Sequence, residues 1–398
     1  MDATFENGAL LLLIAAVVAI ISRRLRLPYS VGLVAAGIVL ALLPFAPQIT
    51  LTKELLFTVL LPPLIFEAAF YLQWKELRRD LGVIIVLATL GVLLSAAITA
   101  VGMHFLADWP WTAAVVFGVL IAATDPVSVI ATFKEAGARG RLLLLVESES
   151  LFNDGTAAVA FGVALELALG HALTPSQMAM LLVLSAGGGI LCGAAIAGAM
   201  LLLAGGTKDH LVEITFTTVA AYGSFLVAEK LHVSGVLATL TAGIMLGNIG
   251  SLGAITSRGR EAVEAFWEYA AFASNSFVFL LIGMREAHQN FFSDWRVVLL
   301  AIALVTLGRA GAVYPCCALF ARSDNRVPAR HQHVLFWGGL RGALALALAL
   351  ALPPEMPQRD LIVTASFAVV AFSVFVQGLT ITPLLRRFGE IPSQKATL

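Results

Sequence analysis

Thirteen runs of mostly apolar residues, most of them near the length that crosses a bilayer, follow one another through almost the whole chain. They occupy 9–22, 28–46, 52–72, 81–106, 111–132, 140–168, 177–204, 210–230, 233–250, 260–283, 295–321, 333–352 and 358–386. A hydrocarbon core about 30 Å thick needs roughly 20 apolar residues in helical form, and it leaves no backbone polar group to water. The expectation is an all-α polytopic membrane protein with about 13 transmembrane helices. The first run is short and the third holds Pro62, Pro63 and Glu67, so these two fit least well. Residues that are 59% hydrophobic and 13% charged could not cover a water-soluble body of this kind. Basic and acidic residues both total 25, so net charge points to no polyanion, nucleic acid included. Cys192, Cys316 and Cys317 lie inside apolar runs, which excludes a secreted disulfide scaffold. No soluble domain fits between runs and only a short polar stretch follows the last. A single membrane domain over 1–398 is expected, with no soluble regulatory domain.

The basic residues give an orientation. Lys53, Lys230, Arg285, Arg296 and Arg359 fall on one set of alternate connections, and Arg309 and Arg341 lie within runs. The other 18 of the 25, among them Arg23, Arg78, Arg139, Arg260, Arg326 and Arg386, fall on the opposite set. That side, with the C-terminus, is expected to be cytoplasmic, and thirteen crossings then put the N-terminus outside. Asp2 and Glu6 precede the first run with no basic residue, unlike the positive leader of a cleaved signal peptide.

The stretch Val34-Ala35-Ala36-Gly37-Ile38 recurs as Leu240-Thr241-Ala242-Gly243-Ile244 and matches the second run to the ninth. Seven runs separate the copies, an odd number, so they would lie upside down relative to each other. Two inverted-topology repeats of this kind mark secondary transporters. The alternative is that small-residue apolar helices look alike by chance.

A carboxylate at membrane depth is costly unless it is paired or lines a water-filled path. The fifth run holds Thr124-Asp125-Pro126. Pro126 lacks an amide proton and its ring clashes with the carbonyl at Ala122, so the helix should break there. The freed oxygens beside Asp125 are what a partly dehydrated monovalent cation prefers, although a proline kink with a capping aspartate explains the same residues. The sixth run reads Glu149-Ser150-Leu151-Phe152-Asn153-Asp154-Gly155. Ser150 and Asp154 are four apart and share a face, Asn153 lies beside them, and Glu149 stacks under Asn153. Asp154 has no basic residue near it in sequence, and a carboxylate that holds either a proton or a cation is the minimum chemistry of proton-coupled exchange. A buried salt bridge that only fixes packing suits Glu149 better.

In the twelfth run Gly338-Gly339-Leu340-Arg341-Gly342 interrupts an Ala/Leu helix, and the glycines favour unwinding. Arg341 cannot lose its charge, so it must find a carboxylate or freed carbonyls. Arg309, in the eleventh run, is a second such case. Glu67 follows Leu61-Pro62-Pro63 and reads equally as part of an ion path or as an interfacial anchor. His331 and His333 sit in a connection, where they could sense pH or simply be solvated. No GxxxxGK[ST] loop is present, so no nucleotide is expected, and no HExxH or cysteine pair suggests zinc.

Taken together, these residues resemble the monovalent cation/proton antiporters, in particular the NhaP-like members of the sodium/proton exchanger branch. The carriers are Thr124-Asp125-Pro126, Glu149 to Gly155, Gly338 to Gly342 and Leu61 to Glu67, in family order over essentially the whole chain. The resemblance implies a homodimer in membrane lipid, with crossed broken helices in a core domain (81–168 and 295–386) and a dimerisation domain (1–72 and 177–283). It implies that Asp154 is alternately bound by cation and proton, supported by Asp125, Ser150, Glu67 and the Thr124 carbonyl. Asn153 stands where the electrogenic branch has a second aspartate, which implies electroneutral exchange, and Glu149 and Arg341 would form a structural ion pair. The implied activity is sodium or lithium for proton antiport by alternating access, without a cofactor, in a prokaryotic cell membrane, where it would serve pH homeostasis. Potassium is the alternative cation. A passive channel lined by Asp125 and Asp154 is a rival of another class. An enzyme is not expected, since no nucleophile–base set is visible.

Overall fold

The computed structural model describes residues 2–25, 27–44, 51–125, 133, 140–171, 173–205, 209–250, 255–289, 291 and 294–391. Among the described residues there is no strand. The helices are α1 (Asp2–Leu25), α2 (Tyr29–Ala41), α3 (Leu55–Tyr71), α4 (Trp74–Ala107), α5 (Trp111–Leu120), α6 (Arg141–Ala168) and α7 (Pro175–Ala204). After these come α8 (His210–Lys230), α9 (Gly235–Ile249), α10 (Ser257–Glu286), α11 (Trp295–Ala318), α12 (Ala329–Trp337), α13 (Ala343–Leu350) and α14 (Arg359–Arg387).

Local chemistry sets the starts. Pro28, Pro110 and Pro328 immediately precede α2, α5 and α12, where a missing amide proton costs nothing. Thr174 and Gln177 form a reciprocal capping box at α7, and Asp209, Ser234 and Thr256 cap α8, α9 and α10. Among the described residues, eight helical stretches are long and apolar enough to cross a membrane, while α2, α3, α5 and α9 are apolar but shorter. Each run of the sequence contains helix, but not all are full-length crossings. α1 extends beyond 9–22 at both ends, α5 stops at Leu120, and the twelfth run is split into α12 and α13.

Helix packing follows the repeat. Gly37 of α2 lies against the backbone of Leu280 and Gly283 in α10, and Gly283 in turn lies against Val34. Its counterpart Gly243, with Gly247, sits against the backbone of Phe66 and Phe70 in α3. A Cβ on Gly37, Gly283 or Gly247 would collide with a main-chain oxygen, and one on Gly243 with the Ala69 side chain, so only glycine permits the approach. The second run thus pairs with the tenth and the ninth with the third, the exchange that a two-fold relation between 2 and 9, and between 3 and 10, produces. α4 packs on α11, the fourth run on its own counterpart. This relation places the two interrupted segments, α5 and α12–α13, across each other.

Candidate functional site

The site is built where the two interruptions meet. α5 ends in turn hydrogen bonds from the Ile121 and Ala122 amides to the Phe117 and Val119 carbonyls, and the main chain of Ala123 to Asp125 runs on out of the helix. The Asp125 amide donates to the Leu340 carbonyl at 2.7 Å, joining one break to the other. Arg341 Nη1 donates to the carbonyls of Ala122 and Ala123 at 2.6 and 3.0 Å. The Ala122 carbonyl, expected to be freed by the break, is therefore held by a guanidinium. Pro126 itself lies outside the described residues.

α6 supplies the other half. Asp154 is the fourteenth residue of this 28-residue helix, so it sits midway along it. It is 5% exposed, and its Oδ1 has no hydrogen-bond partner among the described residues. Asp154 lines a small cavity together with Thr124, Asp125 and Gly342, whose mainly apolar wall includes Leu64 and Leu344. A buried carboxylate oxygen without a protein partner needs a proton, a cation or water to complete it.

Gly342 is part of the arrangement. A Cβ there would lie 2.5 Å from Asp125 Cβ and 2.7 Å from its Oδ2. Gly342→Ala should push Asp125 out of the cavity and cost about 1–3 kcal/mol of stability through overpacking. In reconstituted protein the cation-driven proton movement that the sequence motifs imply should fall at least tenfold, with thermal unfolding reporting the smaller structural loss; a fully active Gly342→Ala protein would remove Asp125 from the site.

Next to the cavity, three side chains of α6 act as a clasp. Asn153 Oδ1 accepts from the Thr124 amide at 3.1 Å, and its Nδ2 donates to Thr124 Oγ1 at 2.6 Å and to Glu149 Oε1 at 3.0 Å. Ser150 Oγ and Thr124 Oγ1 are 2.9 Å apart. Ser150 and Asn153 do not line the cavity; they hold Thr124, which does. Glu67 is also absent from the lining. It is half-buried on α3, three residues past the cavity-lining Leu64.

The expected Glu149–Arg341 ion pair is corrected. Glu149, 1% exposed, is bound bidentately by Arg309: Nη1 to Oε1 at 2.7 Å and Nη2 to Oε2 at 2.9 Å. Arg309 Nη2 also donates to the Leu335 carbonyl near the end of α12. Arg341 takes carbonyls because the end of α5 brings unsatisfied oxygens to it, whereas Glu149 lies one turn away from Asn153 on the side facing α11. Gly338 is the C-cap of α12, and Gly339 leaves room for Arg309, since a Cβ there would lie 2.5 Å from Arg309 Nε. Sequence reasoning missed a second, half-buried bridge, between partly exposed Arg141 and buried Asp80 at 2.7 Å. Asp80, one residue ahead of an apolar run, was the available signal. His333 Nδ1 meets the Tyr314 hydroxyl at 2.8 Å, and His331 is paired with Glu390.

Comparison with known proteins places this arrangement in context. The family profile described as Sodium/hydrogen exchanger, transmembrane, matches residues 11–387. The Na(+)/H(+) antiporter ApNhaP of Aphanothece halophytica is 37% identical over 370 residues, covering 92% of this chain and 70% of that protein. The Na(+)/H(+) antiporter NhaH of Halobacillus aidingensis is 32% identical over 402 residues, covering 97% of this chain and 98% of its own length. Among solved structures, the sodium proton antiporter MjNhaP1 of Methanocaldococcus jannaschii shares the fold. Its structure at pH 8 superposes with a TM-score of 0.74 at 20% identity, over 98% of this chain and 97% of that one.

Proposed function

This chain belongs to the sodium/hydrogen exchanger family, and on that footing we propose that it exchanges sodium or lithium for protons across a membrane, one for one, at Asp154. The observation that carries the reading is the buried Oδ1 of Asp154, without a partner among the described residues, on a residue that lines a cavity with Asp125 and Thr124. A proton or a monovalent cation satisfies that oxygen, and the two compete for it. The loaded carboxylate is neutral and can be moved through a low-dielectric surround, whereas the empty one carries the desolvation cost of a bare charge. That difference couples the two fluxes. Asn153 supports one-for-one exchange, because a neutral amide fills the place next to Asp154 and its hydrogen bonds are spent on Thr124 and Glu149.

In this reading the joined breaks, α6 and the helices around them move as a core domain (81–168 and 295–386). The glycine-mediated pairs α2–α10 and α9–α3 support assigning 1–72 and 177–283 to a stationary domain that meets a second copy in membrane lipid. The distribution of basic residues supports a cytoplasmic C-terminus and an outer N-terminus in a prokaryotic cell membrane. The protein needs no cofactor beyond its transported ions.

The test is reconstitution into liposomes that enclose a pH-sensitive dye, under an imposed proton gradient, with sodium, lithium, potassium and choline added in turn. Sodium or lithium, and not choline, should collapse the gradient, and clamping the potential with valinomycin should leave the rate unchanged. A response to potassium would change the cation and keep the mechanism. Ion flux without proton coupling would favour a channel and sink the proposal.

A further inference from the structure

Arg341 has a second side. Between α11 and α14 is a separate small cavity lined by Arg309, Arg341, Thr306, Ser373 and Gln377, with apolar side chains completing the wall. Ser373 and Gln377 lie four apart, at the two ends of a π-helical turn within α14, a distortion often found at functional sites. Both arginines are buried, Arg341 at 1% and Arg309 at 7% exposure. Each also presents to the interior an N–H without a partner among the described residues: Nη2 of Arg341 and Nε of Arg309. Ser373 and Gln377 are buried too, and among the described residues neither side chain makes a hydrogen bond to protein.

The lining thus offers two guanidinium donors, two hydroxyls and an amide, and no acidic residue. Glu149 neutralises one arginine; the other has only carbonyl oxygens as direct partners. Water would satisfy the N–H groups as a neutral acceptor, whereas an anion satisfies them with charge-assisted hydrogen bonds, and guanidinium donors are the type that bind anions most strongly.

We infer that this cavity is a binding site for a small inorganic anion, chloride in the cell, held between Arg309 and Arg341 with Ser373 and Gln377 as neutral ligands. The site shares no lining residue with the cation cavity and gives the unpaired guanidinium donors a charged acceptor. The anion is a resident structural ligand and takes no part in the ion exchange itself.

The test uses the full chain purified in detergent, compared in sodium bromide and sodium gluconate at equal sodium concentration and pH. Bromide should raise the thermal unfolding midpoint in a saturable way, and crystals grown in bromide should show an anomalous peak between Arg309 Nε and Arg341 Nη2. Gln377→Glu places a carboxylate in the cavity and should weaken bromide binding at least about tenfold, as expected where charged hydrogen bonds are lost. Ser373→Ala, a milder change, should weaken it several-fold and serves if Gln377→Glu does not fold. Water density without an anomalous peak, or an identical bromide response in wild type and Ser373→Ala, would overturn the assignment. The readout is binding, so it stands apart from any loss of exchange.

Discussion

Sodium-driven proton movement should drop to the level of protein-free liposomes when Asp154 is replaced by asparagine, while the protein still purifies as a folded species. The amide has the shape of the carboxylate, so the cavity keeps its walls. What it lacks is the ability to carry a full negative charge or to hold an exchangeable proton, and with that both halves of the cycle are lost. The fall should exceed about a hundredfold, a loss of more than ~2.7 kcal/mol at one step. Stability should move little, because Asp154 Oδ1 makes no hydrogen bond that the substitution could break. It should even rise slightly, since Asp154 shares its low-dielectric surround with the carboxylate of Asp125. Flux assays and thermal unfolding on the same preparation separate the two effects. Wild-type exchange in Asp154→Asn would remove this residue from the mechanism.

A second large effect belongs to the Glu149–Arg309 pair. Breaking a buried ion pair from one side leaves an uncompensated charge and costs about 3–5 kcal/mol. Arg309→Met and Glu149→Gln should each lower stability by an amount in that range, seen as a drop in the thermal midpoint and in the yield of monodisperse protein. The double variant should recover much of the loss, because no lone charge remains. A double-mutant cycle gives the coupling directly. Large coupling between Glu149 and Arg309, and small coupling between Glu149 and Arg341, is the expected pattern; the reverse would restore the pairing read from the sequence. Arg309→Lys should rescue only in part. A point charge cannot bind both carboxylate oxygens and the Leu335 carbonyl at once.

Much of this molecule is legible in its sequence because the bilayer restricts the choices. Apolar runs near 20 residues must be helices, and a carboxylate inside one must have a purpose, so Asp125 and Asp154 stand out without any structure. Spacing four apart on a helix also made the contact of Glu149 with Asn153 readable. What is not readable is which segment crosses which. Arg309 and Arg341 are both arginines within apolar runs, and only the course of the chain around Leu120 and Gly338 decides that one meets Glu149 and the other meets the α5 carbonyls. Ser150 and Asn153 were placed near the right residue for the same local reason, yet their role as a clasp on Thr124 depends on a contact between two helices. Glu67 shows the limit most clearly. Two prolines and a carboxylate on a short helix do not say which way the carboxylate faces.

The position of Asp154 along α6 has an electrical consequence. It is 13 residues beyond Arg141 and 14 before Ala168, which at 1.5 Å per residue is roughly 20 Å from each end of the helix. In the proposed exchange, an ion reaching it from either aqueous phase crosses about half of the transmembrane field. Each approach is therefore worth about 1.2 kcal/mol per 100 mV, half the value for a complete crossing. Binding from the two sides carries equal and opposite sensitivity to voltage, so in a one-for-one cycle these contributions cancel and the driving force reduces to the two concentration ratios.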